Sequence, residues 1–173
     1  NKGRGEVMGS HVIDSVLFGD LFGTHNLRAI FSDENMVQKW LDVEATLAKV
    51  EGQLGIIPEE ASKEICKKAK VELLDFSELK RQIELTGHPI VPLIRVFETV
   101  CEGEAGQYIH WGATTQDIMD TATILQIQEA YHELFGKAEK FLDIINCFAE
   151  DNRDLVMTGR THGQHALPIT LGF

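Results

Sequence analysis

Four of the seven histidines in this chain stand where helices are expected to start or stop. His88 lies in TGHPIVPL, His110 in YIHWGATTQD, and His162 and His165 in GRTHGQHALPIT. These segments are rich in Gly, Pro and Thr, so backbone donors and short polar side chains can converge there on a ligand. Histidine suits proton transfer near neutral pH. A lone histidine is more often a packing residue, but four at such junctions bring the structural and catalytic readings level. His162 and His165 are three apart, a spacing that suits a metal on a helix face, yet Gly163 and Pro168 argue against a helix there. With no carboxylate or cysteine partner evident, neither a metal nor another cofactor is expected.

The run Gly112-Ala113-Thr114-Thr115-Gln116-Asp117 reads in two compatible ways. One is a helix N-cap, with Asp117 three residues after Thr114 as a short capping box. The other is a carboxylate site, in which helix-start N–H groups, the helix dipole and two hydroxyls hold an anion. Gly163 would let backbone approach closely, and Arg160 is either a bidentate clamp for a second anion or a surface ion pair.

Composition sets the frame for these residues. The chain has 173 residues, 43% hydrophobic and 25% charged, the profile of a globular protein rather than a disordered or fibrous one. Sixteen Lys and Arg against 27 Asp and Glu give a net charge of −11, which argues against a nucleic-acid partner. No apolar run approaches the ~20 residues that span a bilayer, and no signal-peptide pattern is present, so no membrane partner and a cytoplasmic location are expected. Cys66, Cys101 and Cys147 are odd in number and read as reduced packing residues.

The elements that must position the histidines are helical. Residues 1–10, NKGRGEVMGS, are set aside as a mobile terminus or expression remnant. Met36, Trp40, Val43, Leu47, Val50 and Leu54 recur at alternating spacings of 4 and 3, a helical stripe that Gly55 is placed to end. Pro58 starts a second helix with a stripe of Ala61, Ile65 and Ala69, and shorter helices are expected around Phe76–Leu85 and Val91–Val100. Behind Thr114, the positions Ile124, Ile127, Tyr131, Leu134, Ala138, Phe141, Ile145 and Phe148 form a bundle-type seam. That predicts a helix of roughly 50 Å, whose stripe needs other long helices beside it. Pro168-Ile169-Thr170 reads as the next helix start, and VIDSVLF at 12–18 is too short and irregular for a sheet. The expected fold is all-α: a helical domain over 11–112, then over 113–173 the first part of a central long-helix bundle, with the chain reading as truncated.

YIHWGATTQDIMDTA and TGRTHGQHALPITLGF together resemble the first two signature regions of the fumarase/aspartase superfamily, and the resemblance runs from about residue 17 to the end. It implies a homotetramer with a twenty-helix bundle, active sites shared between subunits, and a small-molecule carboxylate substrate. The implied reaction cleaves a C–N or C–O bond β to a carboxylate, usually releasing fumarate, through a carbanion-like intermediate. Within the superfamily the chain resembles the adenylosuccinate lyase branch, which would place it in purine biosynthesis, and the 3-carboxy-cis,cis-muconate cycloisomerase branch. By resemblance to the lyase, His162 is the general acid for the leaving nitrogen and His88 supports it through a hydrogen bond. His110, Thr114 and Thr115 bind substrate, Gln164 lines the pocket and Arg160 is a further binding candidate.

Departures from the lyase pattern are specific. Leu21 and Phe22 stand where the adenylosuccinate branch carries an Arg-Tyr pair for the nucleotide phosphate, and Pro89 stands where it has Asp. DLFGTHNLRAIFSDE and PIVPL look more like the cycloisomerase, many bacterial members of which lack a histidine at the position of His162. Lyase chemistry is favoured because His88, His110 and His162 occur together. The alternatives are the lactonising cycloisomerase and, from another class, a non-catalytic helical oligomerisation module. The superfamily's third signature, an S-S-x-M-P-x-K-x-N loop with the catalytic serine, does not occur in these residues, so the 173-residue chain alone is expected to be inactive.

Overall fold

The computed structural model describes residues 11–173; the expectation about residues 1–10 lies outside the described residues. Two short helices come first, α1 (Gly19–Phe22) and α2 (His25–Ile30), followed by α3 (Asp33–Gln53), α4 (Glu59–Lys68), α5 (Phe76–Thr86), α6 (Ile90–Glu98) and α7 (Thr115–Asp151). The chain divides into two compact units, 1–130 and 131–173, with the division falling inside α7.

In the first unit α3, α4 and α5 begin where their sequence signals a start. The Ser32 hydroxyl accepts from the Asn35 N–H at 3.2 Å, capping α3. The Asp75 carboxylate accepts from the N–H groups of Ser77 and Glu78 at the start of α5. Pro58 opens α4, and Ala61, Ile65 and Ala69 are buried as their spacing requires. The buried face of α3 is Val37, Trp40, Leu41, Glu44, Ala48 and Glu51, not the stripe read from the apolar residues. Val50 and Leu54 are exposed, and two carboxylates take core positions instead. Leu93, Val96 and Phe97 of α6, with Ile118 and Ala122 of α7, complete the core around Leu41 and Ile65.

Polar side chains fasten this core at its edges. Asn35 Nδ2 and Gln126 Nε2 both donate to the Ile30 carbonyl at 2.8 Å, tying α7 to the start of α3. Gln38 donates to the Ala69 carbonyl and accepts from the Val71 N–H, clamping the segment after α4. Each such bond satisfies a backbone group that helix geometry leaves over.

The second unit contains the rest of α7 and a β-hairpin, β1 (Val156–Thr161) antiparallel to β2 (Gln164–Thr170). The fold is mainly helical, as expected, with this hairpin added; the expectation corrected is that Pro168-Ile169-Thr170 opens a helix, since it lies within β2. Pro168 pairs with Thr158 beside a register irregularity between Thr158 and Arg160, a place where a missing N–H is tolerated. Helix α7 has 37 residues, about 55 Å at 1.5 Å per residue, as the seam predicts. Its seam positions Ile127, Leu134, Phe141 and Phe148 are exposed. Cys66 and Cys147 are also exposed, against the expectation of packing; Cys101 is half-buried, and burial pushes its thiol up to about 11. Among the described residues no helix is long and apolar enough to cross a membrane.

Candidate active site

Four of the residues singled out in the sequence collect around the start of α7. Helix α5 ends at Gly87, whose φ of +64° is the left-handed cap that glycine adopts without a steric penalty. The reversal sets His88 on the turn into α6, where its backbone N–H donates to Thr86 Oγ1. The His88 ring is fixed at both nitrogens. Nδ1 accepts from the Val91 N–H at 3.4 Å, so in the neutral ring the proton sits on Nε2, which points at Thr115 Oγ1 at 3.5 Å.

Thr114 and Thr115 stand at the N-terminus of α7, where the helix dipole favours an anion. The Thr114 N–H donates to Asp117 Oδ2 at 3.2 Å, the returning half of a capping box. His110 precedes this helix in a left-handed conformation, φ +63°. Its Nδ1 lies 2.6 Å from Oε1 of Glu44, a residue of α3 that is 1% exposed. Burial pushes the Glu44 carboxyl up from its ordinary value, while the hydrogen bond and charge of His110 pull it back. Glu51, one heptad further along α3, is raised by its own burial.

Arg160, His162 and Gln164 belong to the second unit. His162 and Gly163 are the two residues between the strands, with φ of +48° and +74°. Positive φ at both positions is the signature of a type I′ turn, the hairpin connection whose twist matches the strands. Histidine tolerates this region better than most side chains, and glycine enters it freely. The imidazole of His162 is therefore held at an exposed hairpin tip. Arg160 pairs with His165 on one face of the ribbon, and Thr161 pairs with Gln164 on the other. Among the described residues, no group of three or more His, Cys, Asp or Glu is arranged to hold a metal ion.

The first unit offers an imidazole with a defined tautomer beside the Thr115 hydroxyl, and the second carries an imidazole on an exposed left-handed turn. The family model described as a lyase matches residues 22–173. The chain belongs to this family, within the fumarate lyase superfamily. The N-acetyl-S-(2-succino)cysteine lyase of Enterococcus italicus is 42% identical over 96% of this chain and 36% of its own length. The adenylosuccinate lyase of Methanothermobacter thermautotrophicus is 45% identical over 87% of this chain and 34% of its own. The crystal structure of β-carboxy-cis,cis-muconate cycloisomerase from Acinetobacter calcoaceticus superposes with a TM-score of 0.85 at 35% identity, covering 90% of this chain and 37% of that one. The chain thus spans about a third of the length of the relatives it matches.

Sequence reasoning missed Glu44. A glutamate inside a helix reads as a surface residue, and the signal lay in position: Val37, Glu44 and Glu51 recur at heptad spacing on the face that carries Trp40, Leu41 and Ala48.

Proposed function

We propose that this chain supplies the proton donor and the carboxylate-binding groups of a lyase that eliminates a leaving group β to a carboxylate and releases fumarate. The observation that carries the reading is the start of α7, where the His88 ring addresses Thr115 in the first turn of a 37-residue helix. Thr114 and Thr115 bind one substrate carboxylate through their hydroxyls and the helix dipole, and His110 binds beside them. His162 protonates the departing heteroatom as its bond to carbon breaks, and His88, by resemblance to the lyase, has a supporting role. The electron pair left by the proton on the neighbouring carbon becomes the new double bond. The base that takes that proton is, by resemblance, a serine on a loop that these residues do not include. Gln164 and Arg160 add donors for the second carboxylate, where charge builds in the dianionic intermediate. The whole enzyme is a cytoplasmic homotetramer with sites shared between subunits. The exposed apolar seam of α7 supports that assembly.

Leu21 and Phe22, both exposed and uncharged, favour a substrate without the nucleotide phosphate that an adenylosuccinate lyase holds at that place. A succinylated thiol or amine of small size is then the second reading. Fumarate release from adenylosuccinate and from N-acetyl-S-(2-succino)cysteine, with lactonisation of 3-carboxy-cis,cis-muconate as the third assay, separates the cases in the intact enzyme. Turnover of either succinyl compound is expected. Turnover of carboxymuconate alone would replace the lyase reading with the cycloisomerase one, and turnover of none would favour the non-catalytic module.

A further inference from the structure

His110 is held in a way that a packing histidine does not need. Its left-handed backbone, φ +63°, costs a residue with a Cβ about 1–2 kcal/mol. Its ring meets a carboxylate that arrives from the middle of α3, sixty-six residues earlier in the chain. Glu44 is 1% exposed, and its second oxygen, Oε2, has no hydrogen-bond partner among the described residues. A buried carboxylate with one oxygen unsatisfied is costly, and the neighbours Trp40, Leu41 and Ala48 would pack equally well against an apolar side chain. Packing therefore does not explain Glu44. Its one short contact does.

We infer that Glu44 is a positioning residue for His110: the carboxylate at 2.6 Å holds the ring in place and occupies Nδ1, which leaves Nε2 as the nitrogen presented to substrate. With Nδ1 held by Glu44, the ring meets the substrate through Nε2 from a fixed direction. The inference rests on the reading of His110 as a substrate-binding residue.

A double-mutant cycle in the intact enzyme tests it. Glu44→Gln keeps the shape and removes the charge; His110→Asn removes the imidazole but tolerates the left-handed backbone. Glu44→Gln is expected to lower kcat/KM about tenfold or more, mainly through KM, and to cause no further loss in the His110→Asn background. Multiplying losses in the double variant, or wild-type kcat/KM for Glu44→Gln while His110→Asn is impaired, would overturn the positioning role and leave the binding role of His110 standing. Wild-type kcat/KM for His110→Asn would overturn both. If Glu44→Gln does not fold, Glu44→Asp keeps the charge and withdraws the oxygen by one methylene, and the same cycle is read on it.

Discussion

At the scale of single residues, the histidines could be found from sequence because Gly, Pro and Thr mark helix boundaries, and boundaries are where His88 and His110 stand. What each ring touches was not legible. Thr115 lies 27 residues from His88 and Glu44 lies 66 from His110, and only the packed core brings them together. Glu51 shows the same limit and offers a clean stability test. It is 7% exposed, with Oε2 unpartnered among the described residues, and burial raises its pKa above the usual 4.5. A carboxyl raised by folding binds its proton more tightly in the native state. Its stabilising contribution is thus complete below pH ~4.5 and is lost as pH rises through the folded pKa. Glu51→Gln should accordingly raise Tm more at pH 7.5 than at pH 5. A Tm difference that does not change between these two values would show that Glu51 is adequately solvated in the folded protein.

Helices with caps and a clear apolar period were legible in the sequence: α5 is Phe76–Thr86 against an expected Phe76–Leu85, and α7 starts at Thr115, next to the expected Thr114 cap. The hairpin was not, and the reason is physical. Its strands are solvent-exposed on both faces apart from buried Gly159 and half-buried Thr170, so no alternation of apolar and polar residues marks them. The turn residues His162-Gly163 also lack the Asn or Asp that usually announces a type I′ turn. Because Gly163 sits at φ +74°, Gly163→Ala should destabilise the turn by about 1–2 kcal/mol. The expected readout is a loss of amide protection across β1 and β2, with the core helices Asp33–Gln53 and Ile90–Glu98 unaffected. Unchanged protection in the strands would mean that the turn does not hold the hairpin.

For the molecule as a whole, the long seam of α7 is the feature that sequence predicted and the monomer leaves uncovered. Ile127, Leu134, Phe141 and Phe148 stand about half to two-thirds exposed, whereas Ile118 and Ala122 near the helix start are buried in the core. Fully burying a large apolar side chain contributes about 1.5–3 kcal/mol, so covering these half-exposed residues would favour association. In the intact protein, Leu134→Lys with Phe141→Lys should lower the oligomeric mass seen by light scattering. An unchanged mass would place the subunit contacts elsewhere.

If this chain carries the proton donor of a fumarate-releasing elimination, His162→Asn removes that donor from the intact enzyme. Asparagine keeps the left-handed turn position and removes the titratable ring. Fumarate release from the best succinyl substrate should then fall 10²–10⁴-fold in kcat, roughly the worth of one general acid, with oligomeric mass and Tm little changed. Fumarate release at near wild-type rate by His162→Asn would contradict the role of His162 as that donor.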